Sequence, residues 1–174
     1  MVRRIPNQYG GGARTNTNGL LFEQMTSLDD ALIEVGYKVD KCVVYDEKNP
    51  IGLSVPKHNL YNMFLVPSGI DYRNYNSKQW LPDECFINFD NNVAYIIEKK
   101  FQNSSGSVDE KLPGCHFKKM EYEKLFYPLK IGVEYLYVFN DWFLDPRYRD
   151  TLDYVHNMGC GYFFNAIPLD YLGL

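Results

Sequence analysis

From Glu84 to Phe101 the chain keeps the two-residue rhythm of β-strands, broken once by Asp90-Asn91-Asn92. Two such runs about a turn signal predict a β-hairpin, Glu84–Phe89 against Val93–Phe101. Strand residues two apart share a face, so Glu98, Lys100 and Gln102 line up on one side while Lys99 and Phe101 point to the other. The hairpin also folds the acidic pair Asp83-Glu84, at the mouth of its first strand, back towards Glu98. Neighbouring strand residues face opposite ways, so only one of the two acids joins Glu98. Carboxylates held together repel, and the pair favours a cation between them.

This placement has a chemical meaning. Two carboxylates that hold Mg²⁺, with a lysine beside them, make a minimal kit for cutting a phosphodiester. The metal activates water and phosphate, and the lysine polarises the attacking water and offsets the charge growing on the scissile group. The residues alone therefore point to a metal-dependent endonuclease.

Composition narrows the alternatives. At 174 residues, 45% of them hydrophobic, the chain is expected to be one domain with a substantial core. No apolar run approaches the ~20 residues that span a bilayer, and Met1-Val2-Arg3-Arg4 leads into polar, glycine-rich sequence rather than a signal peptide. A cytoplasmic protein is expected. Cys42, Cys85, Cys115 and Cys160 lack zinc-knuckle spacing and read as reduced thiols, and the three histidines are scattered. Any metal is then a hard cation held by oxygen. A net charge of −4 argues against nucleic acid at first sight, but distribution matters more than the sum. Residues 1–22 carry Arg3, Arg4 and Arg14 and no acid, and the segment 97–130 holds more lysines than acids.

Elsewhere, residues 1–19 read as a flexible basic arm able to track phosphates. Leu21, Met25, Leu28, Leu32 and Val35 follow helical spacing and predict one amphipathic helix ending at Gly36. Tyr37–Tyr45 reads as a strand, 46–57 as a loop, and 58–66 as a short helix; 70–80 carries no clear signal. After the hairpin come a helix over His116–Phe126, a buried strand over Ile131–Phe139, a helix from Asp145-Pro146 to His156 and a short strand over Gly161–Asn165. The order predicts an α/β chain with a central sheet between helices.

Pro82-Asp83 with Glu98-Lys99-Lys100 resembles the PD-(D/E)XK nuclease signature. The stretches Ile96–Gln102, Gly106–Lys111 and Val133–Phe143 resemble small type II restriction endonucleases of that superfamily. The resemblance covers most of the chain and is strongest from Leu81 onward. It implies the restriction-endonuclease-like three-layer fold, a central mixed β-sheet flanked by helices, as a single domain over 1–174. It further implies Mg²⁺-dependent cleavage of double-stranded DNA at a specific sequence, with Mn²⁺ able to substitute.

Carried over by position, Asp83 and Glu98 become metal ligands, Lys100 the catalytic lysine and Gln102 a residue orienting water or phosphate. Glu23 matches a first-helix glutamate that assists at the metal in related nucleases, although it lies off the predicted apolar stripe. Lys111, Lys118 and Lys119, which follow the active strand, are candidate DNA-phosphate contacts beside Arg3, Arg4 and Arg14. A duplex needs two cuts, so a homodimer is expected, and a restriction enzyme implies a partner DNA methyltransferase. Two rivals remain: a structure-specific repair, resolvase or transposition nuclease on the same fold, and a non-catalytic DNA-binding module, which would need a broken triad.

Overall fold

The computed structural model describes residues 21–22, 26–104 and 108–174. The predicted hairpin forms the middle of the sheet: β4 (Glu84–Asn88) pairs antiparallel with β5 (Val93–Lys100), with Glu84 opposite Ile97 and Asn88 opposite Val93. Around it β1 (Lys38–Asp40), β2 (Val43–Asp46) and β3 (Asn49–Ser54) continue an antiparallel meander on one side. On the other side β6 (Gly132–Phe139) and β7 (Gly161–Phe164) add in parallel. The seven strands lie side by side in chain order.

Helices make the two parallel additions possible. A crossover of helical length returns the chain to the same end of the sheet; α2 (Cys115–Phe126) links β5 to β6, and α3 (Arg149–Asn157) links β6 to β7. The Asp145 side chain accepts the Arg147 N–H just before α3, closing the turn where the sequence predicts the helix to begin. Packed on one face are Cys85, Ile87, Ala94, Ile96 and Tyr135 against Tyr122, Leu125 and Phe126 of α2. The other face sets Phe86, Tyr95, Ile97, Leu136 and Val138 against Leu28 and Leu32 of α1 (Leu28–Glu34) and against Ile167 and Leu172 near the C-terminus. Covering on both faces explains why β4 is buried along its whole length and why β6 reads as a near-continuous apolar run. The result is the three-layer α/β architecture of restriction endonucleases.

Three expectations are corrected. The predicted strand over Tyr37–Tyr45 is a hairpin, because Lys41 and Cys42 both take positive φ (48° and 69°) and turn the chain back. The segment 46–57, a loop by composition, contains β3. Gly52 is there because any Cβ would lie 2.7 Å from the Phe86 ring and 2.5 Å from the Ile87 carbonyl. The single helical stripe is also broken. Ser27 caps a fresh helix by accepting the Asp30 N–H at 3.3 Å, which shifts the phase. Phe22, Leu28 and Leu32 are buried while Leu21 and Val35 are exposed. Met25 lies outside the described residues, as do Glu23, Arg3, Arg4 and Arg14. Among the described residues no helix is long and apolar enough to cross a membrane, and all four cysteines are free thiols.

Candidate active site

Asp83 sits one residue before β4, opposite Glu98 by extension of the Glu84–Ile97 register. Its position is pinned through the backbone: the Lys99 N–H donates to Asp83 Oδ2 at 2.7 Å. Glu98 projects from β5 on the α2 face and is buried, 6% exposed. Lys100, two residues on, shares that face and donates to Glu98 Oε2 at 2.8 Å. The same ammonium lies 3.0 Å from the Lys99 carbonyl oxygen and 3.8 Å from Asp83 Oδ2. Three oxygens of hard-donor type thus converge on one small cation, here the lysine's own.

That convergence decides whether a divalent cation fits. Among the described residues no three His, Cys, Asp or Glu side chains cluster for a metal. The donors are instead two carboxylates and a backbone carbonyl, with room for solvent: Asp83 is 28% and Lys100 21% exposed at the side chain. An oxygen-only, part-solvated set suits Mg²⁺, which keeps several of its waters.

Glu84 is on the opposite face. Its Oε1 accepts from Lys99 Nζ at 2.7 Å and from the Leu28 N–H at 3.5 Å. Burial pushes the Glu84 carboxyl above its ordinary pKa, while the Lys99 charge pulls it back. The alternation therefore sorts the acids and lysines: Asp83, Glu98 and Lys100 gather on the α2 side, and Glu84 with Lys99 forms a buried ion pair beneath α1.

Gln102 is 3% exposed, and neither polar atom of its side-chain amide has a partner among the described residues. Its backbone, by contrast, is clamped. The Gln102 N–H donates to Asn140 Oδ1 at 3.1 Å, and Asn140 Nδ2 donates to the Gln102 carbonyl at 2.8 Å. Asn140 follows β6, so the parallel pairing of β5 and β6 aims Gln102.

The floor beneath Glu98 is aromatic. Tyr122 and Tyr135 are buried, and burial first, then the Glu98 charge, raises both hydroxyls far above their usual pKa. The Lys100 ammonium lies 5.9 Å from the centre of the Tyr137 ring. A carboxylate against such a wall acts in a low dielectric, where charge interactions strengthen.

Of the lysines on the α2 side of the chain, one reaches the cluster. Lys118 Nζ lies 3.1 Å from Glu98 Oε2, the oxygen that also holds Lys100. Lys119 is committed elsewhere, donating to the Gly159 carbonyl at 2.8 Å and lying 3.5 Å from Glu134 near the start of β6. Lys111 is exposed on the helical turn before α2. A closer sequence reading could have marked Lys118 as half-buried, though not named its partner. Cys115, Lys118, Tyr122 and Leu125 follow one helical stripe, and a lysine among buried positions needs a carboxylate partner. The segment 70–80 is packed rather than free: Asn76 Nδ2 donates to the Glu121 carbonyl at 2.9 Å and the Trp80 indole to Glu121 Oε2 at 3.2 Å. After β6, Trp142 donates to Tyr148 Oη at 2.7 Å and Asn165 to Asp141 Oδ1 at 2.5 Å, contacts that fix a loop.

A meander followed by helix and parallel strand, with two carboxylates and a lysine at the hairpin's mouth, defines a nuclease of the restriction-endonuclease-like class. A family model for the PD-(D/E)XK nuclease superfamily domain matches residues 14–125. The chain belongs to that superfamily. No curated protein and no solved structure matches it.

Proposed function

We propose that this protein is a type II restriction endonuclease, a homodimer that cuts both strands of DNA at a specific sequence in a Mg²⁺-dependent reaction. The reading is carried by the convergence of Asp83, Glu98 and Lys100 at one end of the hairpin. Its finer part, duplex DNA and sequence specificity, is supported by the likeness of 96–102, 106–111 and 133–143 to small restriction enzymes.

Asp83 and Glu98, with the Lys99 carbonyl beside them, would hold the divalent cation, Mg²⁺ with Mn²⁺ as a substitute. When bound, it supplies electrophilic activation of the scissile phosphate and acidifies the attacking water. Lys100 is anchored on a strand and so brings its charge to the same place in every molecule, next to the water and the phosphate oxygens. Gln102 offers an amide donor and acceptor free to orient either. In-line attack then displaces the 3′ oxygen and leaves a 5′-phosphate. Glu23 is retained as an accessory ligand. Arg3, Arg4, Arg14 and Lys111 are retained as backbone-phosphate contacts, which position the duplex without reading it, while Lys119, held by the Gly159 carbonyl and Glu134, is not. A methyltransferase of the same specificity would protect host DNA in the cytoplasm.

The test is incubation of unmethylated linear viral DNA with the purified protein and Mg²⁺, beside an EDTA control and Lys100→Ala. Discrete fragments are expected, abolished by EDTA and slowed about 10³-fold by the substitution. A smear lost in both controls would replace site-specific cutting by non-specific cutting. Cleavage by Lys100→Ala at the wild-type rate would remove Lys100 from the chemistry.

A further inference from the structure

Glu98 Oε2 carries two ammonium groups, Lys100 from β5 at 2.8 Å and Lys118 from α2 at 3.1 Å. Two cations on one oxygen repel each other, and the arrangement holds because the cluster is otherwise doubly negative. Two carboxylates are balanced by two lysines, so the free site is neutral. Adding a divalent cation to that set leaves two surplus positive charges. The pentacovalent phosphorane formed during cleavage carries two negative ones, and the charges match only if Lys118 is counted.

The two lysines differ in what holds them. Lys100 rises from the strand that bears Glu98. Lys118 reaches in from a helix, with its side chain 23% exposed and its ammonium 5.8 Å from the centre of the Trp80 ring. Trp80 is itself fixed, its indole on Glu121 and its carbonyl accepting from Tyr61 Oη at 2.6 Å. The same ring already carries the Lys78 ammonium at 4.2 Å, so what releases Lys118 from Glu98 is the exchange of one anion for another, the carboxylate for the scissile phosphate.

We propose, resting on the nuclease reading, that Lys118 is a second catalytic lysine: held on Glu98 in the free protein, it serves the scissile phosphate in the cleaving complex. It thus competes with the metal for Glu98 and assists the transition state, two effects of opposite sign that one substitution separates.

The experiment compares wild type, Lys118→Met and Lys118→Arg. Mn²⁺ affinity is measured by calorimetry on the DNA-free protein, and Mg²⁺-dependent cleavage in single turnover. Lys118→Met is expected to bind Mn²⁺ about tenfold more tightly, having lost a unit charge beside the ligand, and to cleave about 10²-fold more slowly. Lys118→Arg, which keeps the charge, should recover most of the rate. Lys118→Gln repeats the test should the methionine variant fail to fold. Unchanged Mn²⁺ affinity with a rate within twofold of wild type would overturn the proposal, and so would tighter Mn²⁺ with an unchanged rate. A wild type that neither binds Mn²⁺ nor cleaves would overturn the nuclease reading itself, recognisable because the fault lies with the unmutated protein.

Discussion

At the scale of single residues, Gln102 separates stability from activity. Leaving a buried amide unpaired is costly, whereas an apolar group of similar shape carries no such penalty. Gln102→Met is therefore expected to raise stability by about 1 kcal/mol in urea unfolding and to lower the cleavage rate. A loss of stability would mean that the amide is satisfied within the fold, and its place in the reaction would go with it. Asn140 is its counterpart: the two bonds from Asn140 hold the Gln102 backbone.

At the scale of elements, β5 does two jobs on two faces. On the α2 face it presents Glu98 and Lys100; on the α1 face Lys99 neutralises Glu84, whose Oε1 also takes the Leu28 N–H at the start of α1. Removing one partner of a buried pair leaves the other charge uncompensated, so Lys99→Met is expected to cost about 3 kcal/mol near neutral pH. The pH dependence has a definite sign. Burial already lifts Glu84 above its ordinary 4.5, and Lys99 opposes that rise; without Lys99 the carboxyl climbs further. A carboxyl raised in the folded state contributes stability at acid pH that is lost as pH rises through its folded value. The deficit of Lys99→Met against wild type should thus be smallest near pH 4 and widen towards pH 7, measured by urea unfolding across that range. A deficit independent of pH would separate Lys99 from the ionisation of Glu84.

At the scale of the whole molecule, the C-terminus closes the face that α1 leaves open. Leu172 is fully buried, and Asn88 Nδ2 at the end of β4 donates to its carbonyl at 2.9 Å. The last ten residues are therefore part of the layer that backs the central hairpin. Leu172→Ala is expected to lower stability by about 3 kcal/mol through the lost contacts and the cavity left behind, read as a lower Tm. Because that layer lies across the sheet from Glu98, the residual folded protein should keep its cleavage rate. A Tm shift within 1 °C of wild type would show that the tail does not close the core.

The central hairpin, the turn at Asp145, the buried strand β6 and the grouping of Asp83, Glu98 and Lys100 were all legible in the chain, whereas the two-residue period read on to Gln102 stops where β5 ends at Lys100. Each depends on residues close together in sequence: alternation, a turn signal or a two-residue period. What sequence reading missed depends on packing between distant segments. Composition marked 46–57 as a loop, yet Gly52 stands in β3 against β4, where the Phe86 ring leaves no space for a side chain. Helical spacing ran straight through Ser27, where the chain restarts its helix and exposes Leu21. Sequence by itself determined which residues can share a face, since backbone geometry makes that a local property. Only the tertiary structure decided which face meets which helix, and so placed Lys118 rather than Lys119 on Glu98, because an ion pair across twenty residues exists only once β5 and α2 have packed together.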